Sequence, residues 1–234
     1  MIYSRYSYAA DVARGRRVLE LGCGSGQGFG LVGQAATQLV GGDLSLPLLR
    51  AAQRHYGRRV PLARLSAEQL PFGTGVFDVV LCFEATYYVP RMDEAFREIA
   101  RVLAPGGTVL FVNANPERPD FIKSPHSVHY HTGDEFRATL GALGFTVAIE
   151  ASFPVQAGWG MRWVRRRLEA LGLVPRTLRG RARLKRLVYG KLERLPAELP
   201  AGFAKVYSRV QLAGGPATGF KVIYVTGRKQ SSRP

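Results

Sequence analysis

The chain has 234 residues, a length that fits one elaborated α/β domain, and its formal net charge is +16 at pH 7. No apolar stretch reaches the roughly 18 residues of a membrane span, and the first residues lack the apolar core of a signal peptide. Its two cysteines, Cys23 and Cys82, show neither a disulfide framework nor a metal-binding spacing, so we expect a cytoplasmic protein.

The positive charge is concentrated in the last third of the chain. Residues 1–150 carry a net charge of +1, whereas residues 151–234 carry +15. A basic surface over the whole domain would indicate a general attraction to polyanions. A localised basic segment instead indicates one dedicated contact.

Apolar runs and turn residues predict strands alternating with helices along the chain. The predicted strands span residues 16–21, 38–43, 60–65, 76–83, 107–113, 145–152 and 220–227, and the predicted helices span 26–37, 45–56, 92–103 and 133–143. The last of these helices has a capping box made by Thr132 and Glu135. This alternation predicts a Rossmann-like, doubly wound and mostly parallel sheet.

The most informative segment is the glycine loop after the first strand. Glu20 lies in that strand, and Gly22, Gly24 and Gly26 follow it in an E-x-G-x-G-x-G pattern. A nicotinamide-binding loop would read G-x-G-x-x-G directly after the strand, and the one such run, residues 28–33, comes too late and indicates helix packing. The pattern resembles motif I of class I S-adenosylmethionine (SAM)-dependent methyltransferases.

Later segments extend this resemblance, which covers about residues 16–150 in all. Asp43 ends the second strand, where the family binds the cofactor ribose; the alternative is a turn aspartate that caps the next helix. The run from Ser66 to Phe72 is similar to the family's D-A-E-x-L-P-F segment beside the adenine, with Ser66 in place of the usual Asp. The resemblance implies SAM as cofactor and an antiparallel last strand, and it implies these cofactor-binding residues: Glu20, Gly22, Cys23, Gly24, Gly26, Asp43, Leu44, Ser66, Ala67, Glu68 and Phe83.

The segment after the fourth strand is expected to face the acceptor. Residues 83–89 look like the F-E-x-x-E-H segment of some small-molecule methyltransferases: Glu84 matches, and Tyr87 and Tyr88 replace the Glu-His pair. That replacement argues against a metal, and the segment differs from the D/N-P-P-Y type of nucleic-acid amino-methyltransferases. The residues expected to contact substrate are Glu84, Tyr87, Tyr88, His126 and His131.

Three of the four histidines lie within residues 126–131. A histidine can deprotonate a hydroxyl acceptor near neutral pH, and His129, at the centre of the cluster, is the predicted base. Structural hydrogen bonding and metal binding are the alternatives. Because no carboxylate pair or cysteine joins the cluster in sequence, we expect no metal.

A long segment separates the sixth and seventh predicted strands. Residues 154–216 contain two basic stretches with helical apolar spacing, at 161–171 and 184–195, so residues 1–153 and 217–230 are predicted as the core and 154–216 as a helical insertion. Only about 15 residues precede the first strand, which leaves little room for an N-terminal helical cap, so the insertion is the predicted substrate lid. Alternatively, the insertion could face an anionic membrane surface, nucleic acid or solvent.

Together these features predict a SAM-dependent methyltransferase acting on an oxygen or nitrogen of a small molecule, such as a glycan, a quinone-like compound or a secondary metabolite. A nucleic-acid-binding methyltransferase, a methyltransferase of a membrane lipid and a SAM-binding protein without catalysis are the alternatives. The basic segment leaves a peripheral membrane location open, and the sequence does not indicate an oligomeric state.

Overall fold

The computed structural model describes residues 1–155 and 195–231, and the strands of this part form one mixed sheet. The strands are β1 (Arg17–Leu21), β2 (Gln38–Asp43), β3 (Leu62–Arg64), β4 (Phe77–Phe83), β5 (Leu103–Ala114), β6 (Phe145–Pro154), β7 (Val210–Gln211) and β8 (Phe220–Lys229). The helices are α1 (Ile2–Ala13), α2 (Phe29–Ala35), α3 (Leu46–Tyr56), α4 (Met92–Val102) and α5 (Gly133–Ala142), and a 3-10 turn covers Thr86–Tyr88.

The order of the strands is β3-β2-β1-β4-β5-β8-β6-β7. Strands β1 to β5 pair in parallel, whereas β8 lies antiparallel between β5 and β6. The predicted fold class, a mostly parallel Rossmann-like sheet with an antiparallel last strand, is confirmed. The short strand β7, antiparallel to β6 at the sheet edge, was not predicted.

Two hydrophobic layers cover the sheet, one on each face. Alternate residues of β4 enter different layers, because successive side chains of a strand point to opposite faces. Val79 and Leu81 join the layer beneath α1, α2 and α3, and Val80 and Cys82 join the layer beneath α4 and α5. The central strands are therefore buried on both faces, and their carboxyl ends are held at one edge of the sheet.

Helix α1 is the main element that the sequence analysis missed. Ile2, Tyr6, Ala9 and Ala13 are spaced i, i+4, i+7 and i+11, the spacing of one helical face, and all but Ile2 are buried. The expectation that the segment before β1 leaves little room for a helix needs correction, since α1 occupies that segment and contacts residues of β1 and of the loop after β4. A smaller correction concerns α2, which begins at Phe29 rather than residue 26, since Gly26 has φ +75°.

Most of the predicted insertion lies outside the described residues, including the helical stretch 161–171 and all of 184–195 except Leu195. Its described end packs on the N-terminal side of the fold. Leu199 is buried and its N–H donates to the Gln27 carbonyl at 2.8 Å. The Gly202 N–H donates to the Tyr3 hydroxyl at 2.6 Å, so this stretch lies against α1. The lid role of the insertion stays a prediction.

In the part of the chain that the structure covers, no helix combines the length and hydropathy needed to cross a membrane.

Candidate active site

A cleft of about 450 Å³ opens at the carboxyl ends of β1, β2 and β4. This volume lies within the range of about 300–1,000 Å³ typical of small-molecule sites. The described residues that line it are Leu21, Gly22, Gly24, Asp43, Leu44, Leu48, Leu65, Ser66, Ala67, Glu68, Cys82, Glu84, Ala85, Tyr88, Val89 and Pro90. Carboxyl ends of parallel strands are where open α/β sheets bind ligands.

Two glycines of the loop after β1 meet different requirements. A Cβ on Gly22 would lie 2.5 Å from the Ala85 Cβ, so Gly22 permits close packing against the segment after β4. Gly24 has φ +57°, and a Cβ there would meet no atom within 4 Å. The backbone at Gly24 therefore faces open space in the cleft, where a ligand can approach it closely.

Asp43 joins the glycine loop to the end of β2. Its Oδ2 accepts a hydrogen bond from the Gly24 N–H at 2.8 Å, and its Oδ1 accepts one from the Ser45 N–H at 2.7 Å. The contact with Ser45, the residue before α3, is the one expected of a turn aspartate that caps the next helix. An ionised carboxylate has about four acceptor sites, so each oxygen keeps one for a ligand hydroxyl.

Apolar side chains on one wall of the cleft are exposed. Leu44 is 64% exposed and Leu48 is 44% exposed, although both are large apolar residues at the mouth of the cleft. Exposed apolar groups beside a cleft mark a surface that a ligand covers. Leu44 and Leu48 thus form an apolar part of the cleft wall.

Ser66 and Glu68 lie on the same wall and contact each other. The Glu68 N–H donates to the Ser66 Oγ at 3.3 Å. The Glu68 carboxylate accepts hydrogen bonds from the Arg91 backbone N–H at 2.9 Å and from its guanidinium at 3.1 Å, which lower the pKa of Glu68. Glu68 is therefore held by the segment before α4, and the Ser66 hydroxyl donates to Glu68 Oε2 at 3.4 Å at the edge of the cleft.

Four of the predicted cofactor-binding residues are not among the residues that line the cleft: Glu20, Cys23, Gly26 and Phe83. Glu20 is buried, and its Oε1 accepts a hydrogen bond from the Tyr6 hydroxyl of α1 at 2.6 Å. Burial raises the pKa of Glu20 to about 7, against the opposing effects of this hydrogen bond and of the charge on Arg5. Glu20 thus supports the glycine loop from beneath.

Glu84 is the acidic residue on the acceptor side of the cleft. It has φ +50°, a left-handed conformation that costs a non-glycine residue on the order of 1–2 kcal/mol. Its Oε1 accepts from Arg5 Nη2 of α1 at 3.0 Å, and its Oε2 accepts from the Tyr87 hydroxyl at 2.8 Å. Contacts from two elements therefore hold this carboxylate in place.

The two tyrosines after Glu84 differ in exposure. Tyr87 is buried and stacks on Tyr130 with the ring centroids 4.2 Å apart, so it connects Glu84 to the histidine-containing loop. Tyr88 is exposed, lines the cleft, and its hydroxyl lies 3.3 Å from Ser124 Oγ. Of the two, Tyr88 is the one that a bound molecule can contact.

The three clustered histidines do not line the same cleft as Glu84. His129 is about half exposed, and its Nε2 lies 3.1 Å from Oε1 of Glu135, the capping-box residue of α5. His131 packs against Phe96, and burial lowers its pKa, whereas His126 is exposed. His129 and His131 line a separate depression of about 400 Å³. The roles predicted for these histidines stay predictions.

Among the side chains that the structure describes, no three His, Cys, Asp or Glu residues lie together as metal ligands.

Residues 19–111 match the family described as "Methyltransferase domain". The chain carries a SAM-dependent methyltransferase domain. The family predicted from the glycine loop is thereby confirmed, and so is its cofactor, SAM.

Curated relatives match a little under half of the chain. It is 35% identical over 107 residues to a malonyl-acyl-carrier-protein O-methyltransferase of Legionella pneumophila, a match that covers 44% of this chain and 37% of the relative. It is 36% identical over 118 residues to a fatty-acid O-methyltransferase of Mycolicibacterium smegmatis, covering 49% of this chain and 43% of the relative. The matches thus span less than half the length of these relatives.

Solved structures match the methyltransferase domain and the rest of the fold together. The YcgJ protein of Bacillus subtilis superimposes with a TM-score of 0.65 at 18% identity, over 99% of this chain and all of that one. At this identity the likeness shows the fold alone. The fold of the described residues, 1–155 and 195–231, is therefore that of a known architecture.

The residues of the methyltransferase domain fit SAM as cofactor. The open backbone at Gly24, the two spare acceptor sites of Asp43 and the exposed apolar wall at Leu44 lie in one cleft. A nucleoside has a ribose with two hydroxyls and a planar base, which these features complement.

Sequence reasoning missed Arg5 and Tyr6, which reach the methyltransferase domain from outside its matched segment. Both lie on α1, and they contact Glu84 and Glu20. The apolar spacing of residues 2–13 was the available signal for the helix, whereas the partners of its polar residues depend on tertiary packing.

Proposed function

We propose that the protein transfers a methyl group from SAM to an oxygen atom of a small-molecule or lipid-linked acceptor. The observation that carries the proposal is one cleft with Gly24 and Asp43 on one side and Glu84 and Tyr88 on another. The curated relatives support oxygen as the target, because both are named O-methyltransferases, of malonyl-acyl carrier protein and of fatty acids.

The cofactor side of the cleft belongs to β1 and β2. Asp43 would accept hydrogen bonds from the ribose hydroxyls, and Leu44 with Leu48 would cover the adenine. When bound, SAM supplies a sulfonium methyl group whose transfer to an acceptor hydroxyl leaves S-adenosylhomocysteine and releases the hydroxyl proton. Gly24 lets the loop backbone approach the cofactor without a clash.

The acceptor side belongs to the segment after β4. Glu84 and Tyr88 present a carboxylate and a phenol to the cleft, so they can orient a polar acceptor. Orientation and exclusion of water are the main contributions that a protein makes to methyl transfer. His129 as base and residues 154–216 as lid belong to the same proposal.

The test separates cofactor binding from methyl transfer. Calorimetry with SAM comes first, followed by incubation of the protein with methyl-tritiated SAM and a metabolite and lipid extract of the cells that make it. Labelled small molecules or lipids support the proposal, and label in nucleic acid supports the alternative of a nucleic-acid methyltransferase. SAM binding without any labelled product supports a SAM-binding protein without catalysis, and absence of SAM binding refutes all of these.

A further inference from the structure

Arg5 and Glu84 form an ion pair that joins α1 to the wall of the cleft. We propose that Arg5 is a positioning residue, which holds Glu84 where its carboxylate accepts a hydrogen bond from a hydroxyl group of the acceptor. This inference rests on the proposed function and narrows it, since it assigns an alcohol or phenol as the group that is methylated. It thereby departs from the fatty acid named for one curated relative, whose oxygen atoms belong to a carboxyl group.

The hydrogen bonds of Glu84 leave room for such a contact. Arg5 donates to Oε1 at 3.0 Å and Tyr87 donates to Oε2 at 2.8 Å, so each oxygen has one donor in place. About four acceptor sites exist on an ionised carboxylate, and the remaining ones can accept from a ligand. The side chain of Glu84 is 28% exposed and lines the cleft, so a ligand can reach it.

Arg5 itself acts from behind Glu84. Its side chain is only 11% exposed, and it is not among the residues that line the cleft. Within the described chain, its Nε is buried without a hydrogen-bond partner, and its Nη2 forms an ion pair with Glu84. The charge on Arg5 also acts on the buried Glu20. Removing Arg5 would leave Glu84 without the donor on Oε1 and free to change its orientation.

The backbone conformation of Glu84 is a second observation that links this residue to Arg5. Glu84 adopts φ +50°, and its N–H donates to the Val112 carbonyl at 2.9 Å. A strained backbone persists where surrounding contacts determine it, and such residues concentrate at functional sites. Here the contacts of Arg5 and Tyr87 fix the direction of the side chain.

The charged side chains in the described wall of the cleft are all acidic, which favours an acceptor group that donates a hydrogen bond. The charged residues in the described lining are Asp43, Glu68 and Glu84, and this part of the lining contains no Lys, Arg or His. Arg5 and Arg91 are engaged with Glu84 and Glu68. No side chain of this described lining offers a cation to an acceptor carboxylate, whereas an acceptor hydroxyl could donate to the spare acceptor sites of Glu84.

The chemistry of the product distinguishes the two acceptor groups even before the acceptor is identified. The protein is incubated with methyl-tritiated SAM and the cell extract, and the products are treated with mild alkali and then with hydriodic acid. Alkali hydrolyses methyl esters to labelled methanol, whereas methyl ethers survive it and release methyl iodide with hydriodic acid. We expect label of the second kind. Labelled methanol, or label that resists both reagents, would overturn the hydroxyl assignment.

Variants of α1 test the role of Arg5 with the same assay. Arg5→Met should lower the rate at least tenfold at a subsaturating extract concentration and leave the SAM dissociation constant within threefold. Arg5→Lys should recover part of the rate. Arg14→Met is the matched control, since Arg14 ends the same helix and pairs with Asp11 in solvent, and its rate should stay within twofold. An unchanged rate in Arg5→Met, or an equal loss of SAM affinity, would overturn the proposal.

A double variant covers the case in which Arg5→Met does not fold. Arg5→Met combined with Glu84→Gln removes both charges and leaves no unpaired ion. Because Arg5 acts through Glu84, the double variant should be no slower than Glu84→Gln alone, with folding checked by circular dichroism. A further multiplicative loss would show that Arg5 acts independently of Glu84 and would overturn the positioning role. SAM binding by all variants distinguishes these outcomes from a failure of the proposed function.

Discussion

The backbone N–H of Gly24 donates a hydrogen bond to Asp43 Oδ2 at 2.8 Å and so joins the loop after β1 to the end of β2. The loop backbone and the carboxylate face the same cleft. The site is thus organised by a contact between two neighbouring parallel strands, and each side of the contact can be altered separately.

Gly24→Ala should weaken SAM binding at least tenfold, because the added methyl group occupies the open space that faces the cleft. Its effect on folding should be small, about 1–2 kcal/mol for a left-handed residue. Gly57→Ala is the matched control: Gly57 has φ +58° and open space around it, but it follows α3 away from the cleft. Calorimetry and thermal unfolding of both variants check this, and equal SAM affinities would contradict it.

Asp43→Ala should weaken SAM binding by about ten- to a hundredfold, which corresponds to roughly 1.5–3 kcal/mol for a lost charge-assisted hydrogen bond. Asp43→Asn should lose less, since the amide keeps one acceptor oxygen. The same titration in Asp78→Asn, which breaks the ion pair with Arg17, provides the control. If SAM binds Asp43→Ala as tightly as the unaltered protein, the role of Asp43 is limited to its hydrogen bonds with the backbone N–H groups of Gly24 and Ser45.

Glu20→Gln should change how stability depends on pH. Burial raises the folded pKa of Glu20 to about 7, above its unfolded value, so the folded state binds the extra proton between these two pKa values. The associated stability is complete below the unfolded pKa and is lost as pH rises through 7, by about 3 kcal/mol in total. Urea unfolding from pH 4.5 to 8 should show this decline in the unaltered protein and a flatter curve in Glu20→Gln. Parallel curves would contradict the raised pKa.

His129→Ala tests the predicted base. Proton transfer by a side chain contributes about 10²–10⁴-fold, so a base role requires turnover to fall by that factor while SAM affinity stays within twofold. That role also requires the acceptor to extend from the cleft to the separate depression that His129 lines. Glu135→Gln is the control, because glutamine preserves a capping box and removes the carboxylate beside His129. A loss below threefold would leave His129 with a structural contact to Glu135 and no role in proton transfer.

Replacement of residues 158–194 by a Gly-Ser linker tests the lid. This deletion retains the contacts of residues 199–207 with the N-terminal side of the fold. We expect turnover to be lost and SAM affinity to be largely kept, since the lid would exclude water from the acceptor. Full turnover would contradict the lid. Salt-sensitive binding of the intact chain to anionic liposomes or to nucleic acid would instead assign the basic segment to those partners.

The sequence was sufficient for the features that depend on local pattern. The strand-loop-helix at Gly22 to Gly26, the acid at the end of β2 and the capping box at Thr132 all follow from residue types at short spacing. They predicted the sheet, the domain family and the cofactor. Short-range rules are enough here because each parallel strand and its following loop contribute their own part of the cofactor side of the cleft.

Long-range pairings account for what the sequence could not predict. Arg5 and Glu84 are 79 residues apart, and Tyr8 and Thr226, whose hydroxyls lie 3.2 Å apart, are 218 residues apart. Nothing in the local pattern selects these partners, because a polar residue on an amphipathic helix can equally face solvent. The histidine cluster shows the converse, since closeness in sequence did not bring His126, His129 and His131 to the lining of the cleft with Glu84.

The position of β8 has a consequence for the order in which the protein can form. This strand pairs with β5 over Thr108–Ala114 and with β6 on its other side, yet it is translated after both. During synthesis, β5 and β6 would therefore expose unpaired apolar edges while the chain is still attached to the ribosome, which is the condition that favours association between nascent chains. The half of the sheet that carries Gly24 and Asp43 does not need β8 for its pairing, so it can assemble first. Folding is thus expected to pass through an open sheet, which closes only when β8 inserts between β5 and β6.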